Sequence, residues 1–139
     1  MWNSRALVFD LDDTLYQESS YFSEIFSAFC SNEGWPSSTF APLMDDFRHL
    51  RFTQKDLLGY FLDQNRSRLR STAASVNNEY RESLHNGLFS LYTGIQAHLT
   101  PMNGVAAWME FAHGNGLKVG VLTNGVAAAQ RNKWACLDI

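Results

Sequence analysis

Ala6-Leu7-Val8-Phe9-Asp10-Leu11-Asp12-Asp13-Thr14 is an apolar run that ends in three carboxylates within four residues. Such a run has the pattern of a strand covered on both faces in a parallel sheet, with its charges at the C-terminal end. Ligands of open α/β sheets bind beyond that end of the strands. Carboxylates this close repel one another, and a cation or thorough solvation relieves the repulsion. Oxygen ligands of this kind suit Mg²⁺, which takes one or two carboxylates, waters and phosphate oxygens. Two readings of Asp10 and Asp12 follow. In one, Asp10 is a covalent nucleophile toward phosphorus and Asp12 moves the proton of the leaving oxygen. In the other, the acids cap the next element or hold a structural ion.

Beyond this strand the periodicity changes. Phe22, Ile25, Phe26 and Phe29 recur at helical spacing from Glu18 onward, and Gly34 and Pro36 mark a stop. Phe40, Leu43, Met44 and Phe47 predict a second helix over 38–50. Thr53 with Asp56 resembles a capping box, opening a third helix with Leu57, Leu58, Phe61 and Leu62 as its stripe. A fourth helix is expected over 72–85, and the segment 87–99 suits a short helix or an extended piece equally well. Val105 to His113 reads as a helix closed by Gly114-Asn115-Gly116. Leu117 to Leu122 is a second apolar strand, and Thr123-Asn124-Gly125 turns the chain into a last helix near Val126. The order is that of an α/β fold interrupted by an all-helical block.

The string Phe9-Asp10-Leu11-Asp12-Asp13-Thr14-Leu15-Tyr16 resembles the first signature motif of the haloacid dehalogenase superfamily. Leu122-Thr123-Asn124-Gly125 is similar to the second motif, whose hydroxyl binds the phosphoryl group in transfer. Taken alone, Thr-Asn-Gly is more often only a turn with a helix N-cap, although a hydroxyl beside a helix N-terminus also favours a bound anion. An Asp two places after the nucleophile is similar to the superfamily's phosphatases and phosphomutases, whereas its dehalogenases carry an aromatic residue there. The resemblance implies a partial Rossmann-like parallel sheet with an inserted helical cap of the C1 type. It divides the chain into an incomplete core, 1–16 with 99–139, and a cap, 17–98. It also implies phosphoric monoester hydrolysis through an aspartyl-phosphate, with Asp10 and Asp12 catalytic, Thr123 and Asn124 binding phosphate, and Mg²⁺ held at Asp10 and Asp12. The substrate is then a small phosphorylated metabolite.

The family's third motif, a Lys or Arg, and its fourth, an acidic pair, find no counterpart in this sequence. Lys133 follows Asn124 too soon, on the helix directly after the second motif, and is not assigned the third role. These residues alone are therefore expected to be weakly active or inactive. The strand bearing Asp10 would be left as an edge, which invites self-association. A different class of function also fits, a non-catalytic binding or assembly module that uses the exposed edge to capture a partner.

Arg48, Arg51 and Lys55, or Arg66, Arg68 and Arg70, are candidates to meet an anionic substrate from the cap, against the commoner reading of solvated helix faces. The formal net charge of −3 gives no broad attraction for nucleic acid or an anionic membrane. No apolar run approaches the roughly 18 residues that cross a bilayer. Cys30 and Cys136 are far apart and read as reduced thiols, so a cytoplasmic setting is expected. His49, His85, His98 and His113 are scattered, and Trp35, Trp108 and Trp134 are expected in the core.

Overall fold

The computed structural model describes residues 5–53, 56–64 and 78–139. Two strands, β1 (Ala6–Phe9) and β2 (Lys118–Val121), pair in parallel with Ala6 opposite Lys118 and Phe9 opposite Val121. Between them run α1 (Glu18–Asn32), a 3₁₀ turn (Ser37–Thr39), α2 (Phe40–Leu50), α3 (Leu57–Gln64), α4 (Asn78–Gly94) and α5 (Val105–Gly114); α6 (Ala127–Ala135) follows β2. This is an α/β chain whose parallel strands are separated by helices, as the sequence order implies. The chain forms two compact units, Met1–Tyr21 with Gln96–Ile139, and Phe22–Ile95.

In the helical unit, the apolar stripe of α1 explains its packing. Phe22, Ile25, Phe26 and Phe29 are all buried; Phe22 stacks on Phe47 of α2 with ring centroids 4.2 Å apart, and Phe26 stacks on Phe61 of α3 at 5.0 Å. Fully burying each such ring stabilises by about 1.5–3 kcal/mol. The end of α1 is a Schellman motif: Gly34 takes φ +66°, its N–H donates to Ser31 O, and the N–H of Trp35 reaches back to Cys30 O at 2.8 Å. Trp35 then packs edge-on against Phe29 at 5.1 Å, the apolar contact that accompanies this cap. The start of α3 differs from expectation. Asp56, not Thr53, is its cap, accepting from the Gly59 N–H at 2.9 Å, while the Thr53 hydroxyl donates to Leu50 O. Asp56 sits one residue before the first helical turn and can reach that donor; Thr53 is too far upstream. α4 continues through Gly94, which resolves the ambiguous segment as helix up to that point, with Leu84 and Leu88 buried. The start expected for it at Thr72 lies outside the described residues.

In the unit that carries the strands, α5 ends in a second Schellman motif at Gly116 (φ +64°), with Leu117 N–H donating to Ala112 O, and this delivers the chain into β2. Burial is where the sequence reading fails. β1 was expected to be covered on both faces, yet Val8 is 63% exposed. Among the described residues the sheet has only two strands, and these leave much of its surface uncovered. Trp108 and Trp134, expected in the core, are exposed at 56% and 37%; Trp35 is half-buried. Trp108 lies off the face of α5 that buries Val105, Met109 and Ala112 and instead meets the exposed Phe111.

Candidate active site

The register of the sheet sets the site. Because Phe9 lies opposite Val121 and accepts from the Leu122 N–H at 2.9 Å, Asp10 and Thr123 leave the same C-terminal end of adjacent parallel strands. After β1 the chain closes one tight turn, with Thr14 and Leu15 N–H groups both donating to Leu11 O. Leu11, Leu15 and Tyr16 are buried and anchor it. Asp13 holds φ +56°, a left-handed conformation that Asp tolerates better than most residues. Its carboxylate accepts from the Glu18 N–H at 3.0 Å, at the start of α1. The turn thereby directs the side chains of Asp10 and Asp12 into different surroundings.

Asp10 is exposed and accepts from the Thr14 hydroxyl at 3.3 Å. Asp12 is enclosed by donors. Lys133 Nζ lies 2.9 Å from its Oδ1 and 3.0 Å from its Oδ2, Gln130 Nε2 donates to Oδ2 at 2.9 Å, and the Tyr16 hydroxyl donates to Oδ1. The Lys133 side chain is 1% exposed and that of Asp12 22%. A cation this buried requires charged partners, and Lys133 has a second in Glu18 at 3.6 Å, with the Tyr21 ring face 5.4 Å away. Burial, reinforced by the hydrogen bond to Asp12 and the charges of Asp12 and Glu18, holds the Tyr16 phenol above the ordinary tyrosine range. Burial also raises Tyr21, against the opposing effect of the Asn132 amide that donates to its hydroxyl.

The second strand end joins the same network. Gln130 Nε2 donates to Thr123 Oγ1 and to the Asn124 carbonyl oxygen, each at 2.7 Å. Of the four site residues expected from sequence, Asp12 and Thr123 are brought together through Gln130. Asn124 meets that amide by its main chain, and Asp10 stands exposed at the neighbouring strand end. Thr123 and Gln130 also line a hollow of about 290 Å³ with Val121 and Trp134. A larger cleft of about 540 Å³, lined by residues such as Ser20, His98 and Met102, touches none of the four.

Gln130 and Lys133 are the residues that sequence reasoning missed: Lys133, to which the sequence assigned no role in the site, lies against the Asp12 carboxylate. Their signal was negative. Ala127–Ala135 has no apolar stripe, and besides Ala129 it buries Gln130 and Lys133, which share one face at i, i+3.

The metal reading is narrowed in the same way. The carboxylate of Asp12 is engaged by Lys133 and Gln130, whereas that of Asp10 is exposed at the strand end. Among the described residues no group of three or more His, Cys, Asp or Glu could hold a metal ion. Of the basic residues considered in the helical block, Arg48 pairs with Asp45 at 3.6 Å and Arg51 lies over the Phe52 ring at 4.3 Å. Lys55, Arg66, Arg68 and Arg70 lie outside the described residues. His85 approaches Asp56 at 3.7 Å, within the helical unit. No helix among the described residues is long and apolar enough to cross a membrane. Compared with known proteins, residues 4–136 match the model of a family of hydrolases described as haloacid dehalogenase-like hydrolase. No curated protein matches the chain.

Proposed function

The chain belongs to the haloacid dehalogenase-like hydrolases, and from that premise we propose that its chemistry is phosphoric monoester hydrolysis through an aspartyl-phosphate on Asp10. The observation that carries this reading is the contrast between two acids on one turn: Asp10 is exposed at the strand end, while Asp12 is tied to Thr123 by the Gln130 amide. A nucleophile must be reachable, and a proton-transfer group must be held in place.

In this mechanism a carboxylate oxygen of Asp10 attacks phosphorus, the bond from phosphorus to the leaving oxygen breaks, and Asp12 delivers a proton to that oxygen. Asp12 then takes a proton from the water that attacks the acyl phosphate, which releases inorganic phosphate and restores Asp10. Thr123 and the turn at Asn124 bind the phosphoryl oxygens. Mg²⁺, the cofactor general to this family, would be held by the Asp10 carboxylate and the Asp12 main-chain oxygen, and supplies charge neutralisation for the phosphoryl group. The helical unit serves as a cap that selects a small phosphorylated metabolite, and the setting is cytoplasmic, where Cys30 and Cys136 stay as free thiols.

A panel of phosphate monoesters assayed with Mg²⁺ tests the reading. The chain, alone and completed by a C-terminal half supplying a Lys and an acidic pair, is compared with its Asp10→Asn variant. Turnover by the completed protein that vanishes with Asp10→Asn supports it; turnover that survives refutes it. A second reading, a non-catalytic assembly module, draws on the exposure of Val8 and Leu122 at the sheet.

A further inference from the structure

Gln130 is 7% exposed, and its amide is spent in an unusual way. The Nε2 group lies within 2.9 Å of three acceptors, Asp12 Oδ2, Thr123 Oγ1 and Asn124 O, while its own Oε1 is buried with no hydrogen-bond partner among the described residues. A buried unsatisfied carbonyl costs about 1–3 kcal/mol. A side chain selected for stability alone would place its oxygen against a donor. This one is oriented by its nitrogen, between the acid of the first strand end and the hydroxyl of the second.

The consequence for Thr123 is a matter of hydrogen-bond polarity. A hydroxyl has one proton to give and two lone pairs to receive. Its nearest partner is Gln130 Nε2 at 2.7 Å, which can only donate; the Asn124 oxygen to which the hydroxyl itself points is 3.4 Å away. With a lone pair occupied at short range and its proton only weakly held, the hydroxyl is set to donate to an incoming anion. The same amide restrains Asp12 at Oδ2, while Lys133 holds both of its oxygens from one helical turn further along α6.

We propose that Gln130 is a positioning residue: it fixes the Thr123 hydroxyl as a hydrogen-bond donor toward a phosphoryl oxygen and sets the spacing between Thr123 and Asp12. The assignment rests on the reading of Thr123 and Asp12 given above, and the test separates the two.

The probe is inorganic phosphate with Mg²⁺, titrated into the ¹⁵N-labelled chain. Gln130→Met, close in size but without donors, is expected to weaken phosphate binding about tenfold, the worth of one hydrogen bond to an anion. In a Thr123→Val background the same substitution is expected to change affinity less than twofold, because the group through which it acts is gone. Gln130→Glu, which presents only acceptors, is expected to weaken binding more than Gln130→Met. Losses that multiply in the double variant, or full affinity in Gln130→Met, overturn the proposal. The side-chain amide signal of Gln130 decides the matter without phosphate: it should move in both Thr123→Val and Asp12→Asn, and a signal unmoved by either overturns the positioning role. If the parent chain binds no phosphate while that signal responds to both, the functional reading of the site fails and the positioning geometry stands.

Discussion

Lys133 places its ammonium 2.9 and 3.0 Å from the two carboxylate oxygens of Asp12, a residue 121 positions earlier in the chain. The contact fastens α6 to the turn that follows β1, and it does so with a lysine that is almost wholly buried. Two ends of the sequence are thereby joined at the point where the candidate chemistry lies.

Removing the cation should destabilise this unit. Lys133→Met leaves Asp12 without its main partner. Breaking a fully buried pair costs about 3–5 kcal/mol, and since Asp12 retains some exposure and the Gln130 and Tyr16 donors, roughly 2–3 kcal/mol is expected. In urea unfolding, Asp12→Asn and Lys133→Met combined should lose less than the sum of the single losses, with a coupling of about 1–3 kcal/mol. Strict additivity would show that the pair does not act as a unit.

Alkaline pH should weaken the fold. Burial raises the pKa of both Tyr16 and Tyr21 in the folded chain, so their stabilising contribution is intact below the unfolded value near 10 and is lost as pH rises above it. Above that point the unfolded chain ionises and the folded one resists, so stability falls by up to about 1.4 kcal/mol per pH unit for each tyrosine. Phenolate absorbance at high pH should appear together with unfolding, and Tyr21→Phe should flatten the decline. Ionisation of all tyrosines while the fold persists would contradict the burial argument.

The exposed sheet predicts association. Val8 on β1 is 63% exposed and Leu122, directly after β2, 76% exposed, beside main-chain groups that can pair with another strand. Sedimentation velocity should show mass increasing with concentration, and Val8→Lys with Leu122→Lys should shift the chain toward monomer. A monomer at every concentration would remove the support for an assembly role.

Much of this architecture was legible from spacing. The Phe22, Ile25, Phe26, Phe29 stripe and the glycines at 34 and 116 specify α1 and the two helix ends, because apolar period and positive φ are local properties. The acids of the first strand end and the hydroxyl of the second were legible as residue types at the ends of apolar runs. What holds them was not. Lys133 and Gln130 lie in a helix with no apolar stripe, and their partners are 121 and 118 residues away, a relation that the parallel pairing of β1 and β2 creates and local pattern does not encode. Burial of Val8, Trp108 and Trp134 was misjudged for a related reason: apolar type indicates the tendency to be covered, while the neighbouring elements decide whether cover exists.

Asp12→Asn should slow the step in which the leaving group departs. Its penalty should be large for phenyl phosphate and smaller, by about tenfold or more, for para-nitrophenyl phosphate, whose leaving group needs little protonation. The comparison is made on the completed protein by steady-state kinetics. Equal penalties for the two esters would count against Asp12 as the acid.

Phosphate on Asp10 itself is the most direct evidence for a covalent route. The chain is incubated with Mg²⁺ and para-nitrophenyl phosphate, treated with borohydride to reduce any acyl phosphate to the corresponding alcohol, and digested for mass spectrometry; both the chain alone and the completed protein are examined, since slow turnover does not prevent accumulation of a covalent intermediate. Homoserine is expected at position 10 in the completed protein, none at Asp12 or Asp13, and no reduction product in the Asp10→Asn variant. A phosphatase-active sample with Asp10 unmodified, or with the product at another acid, would contradict the assignment of Asp10 as nucleophile.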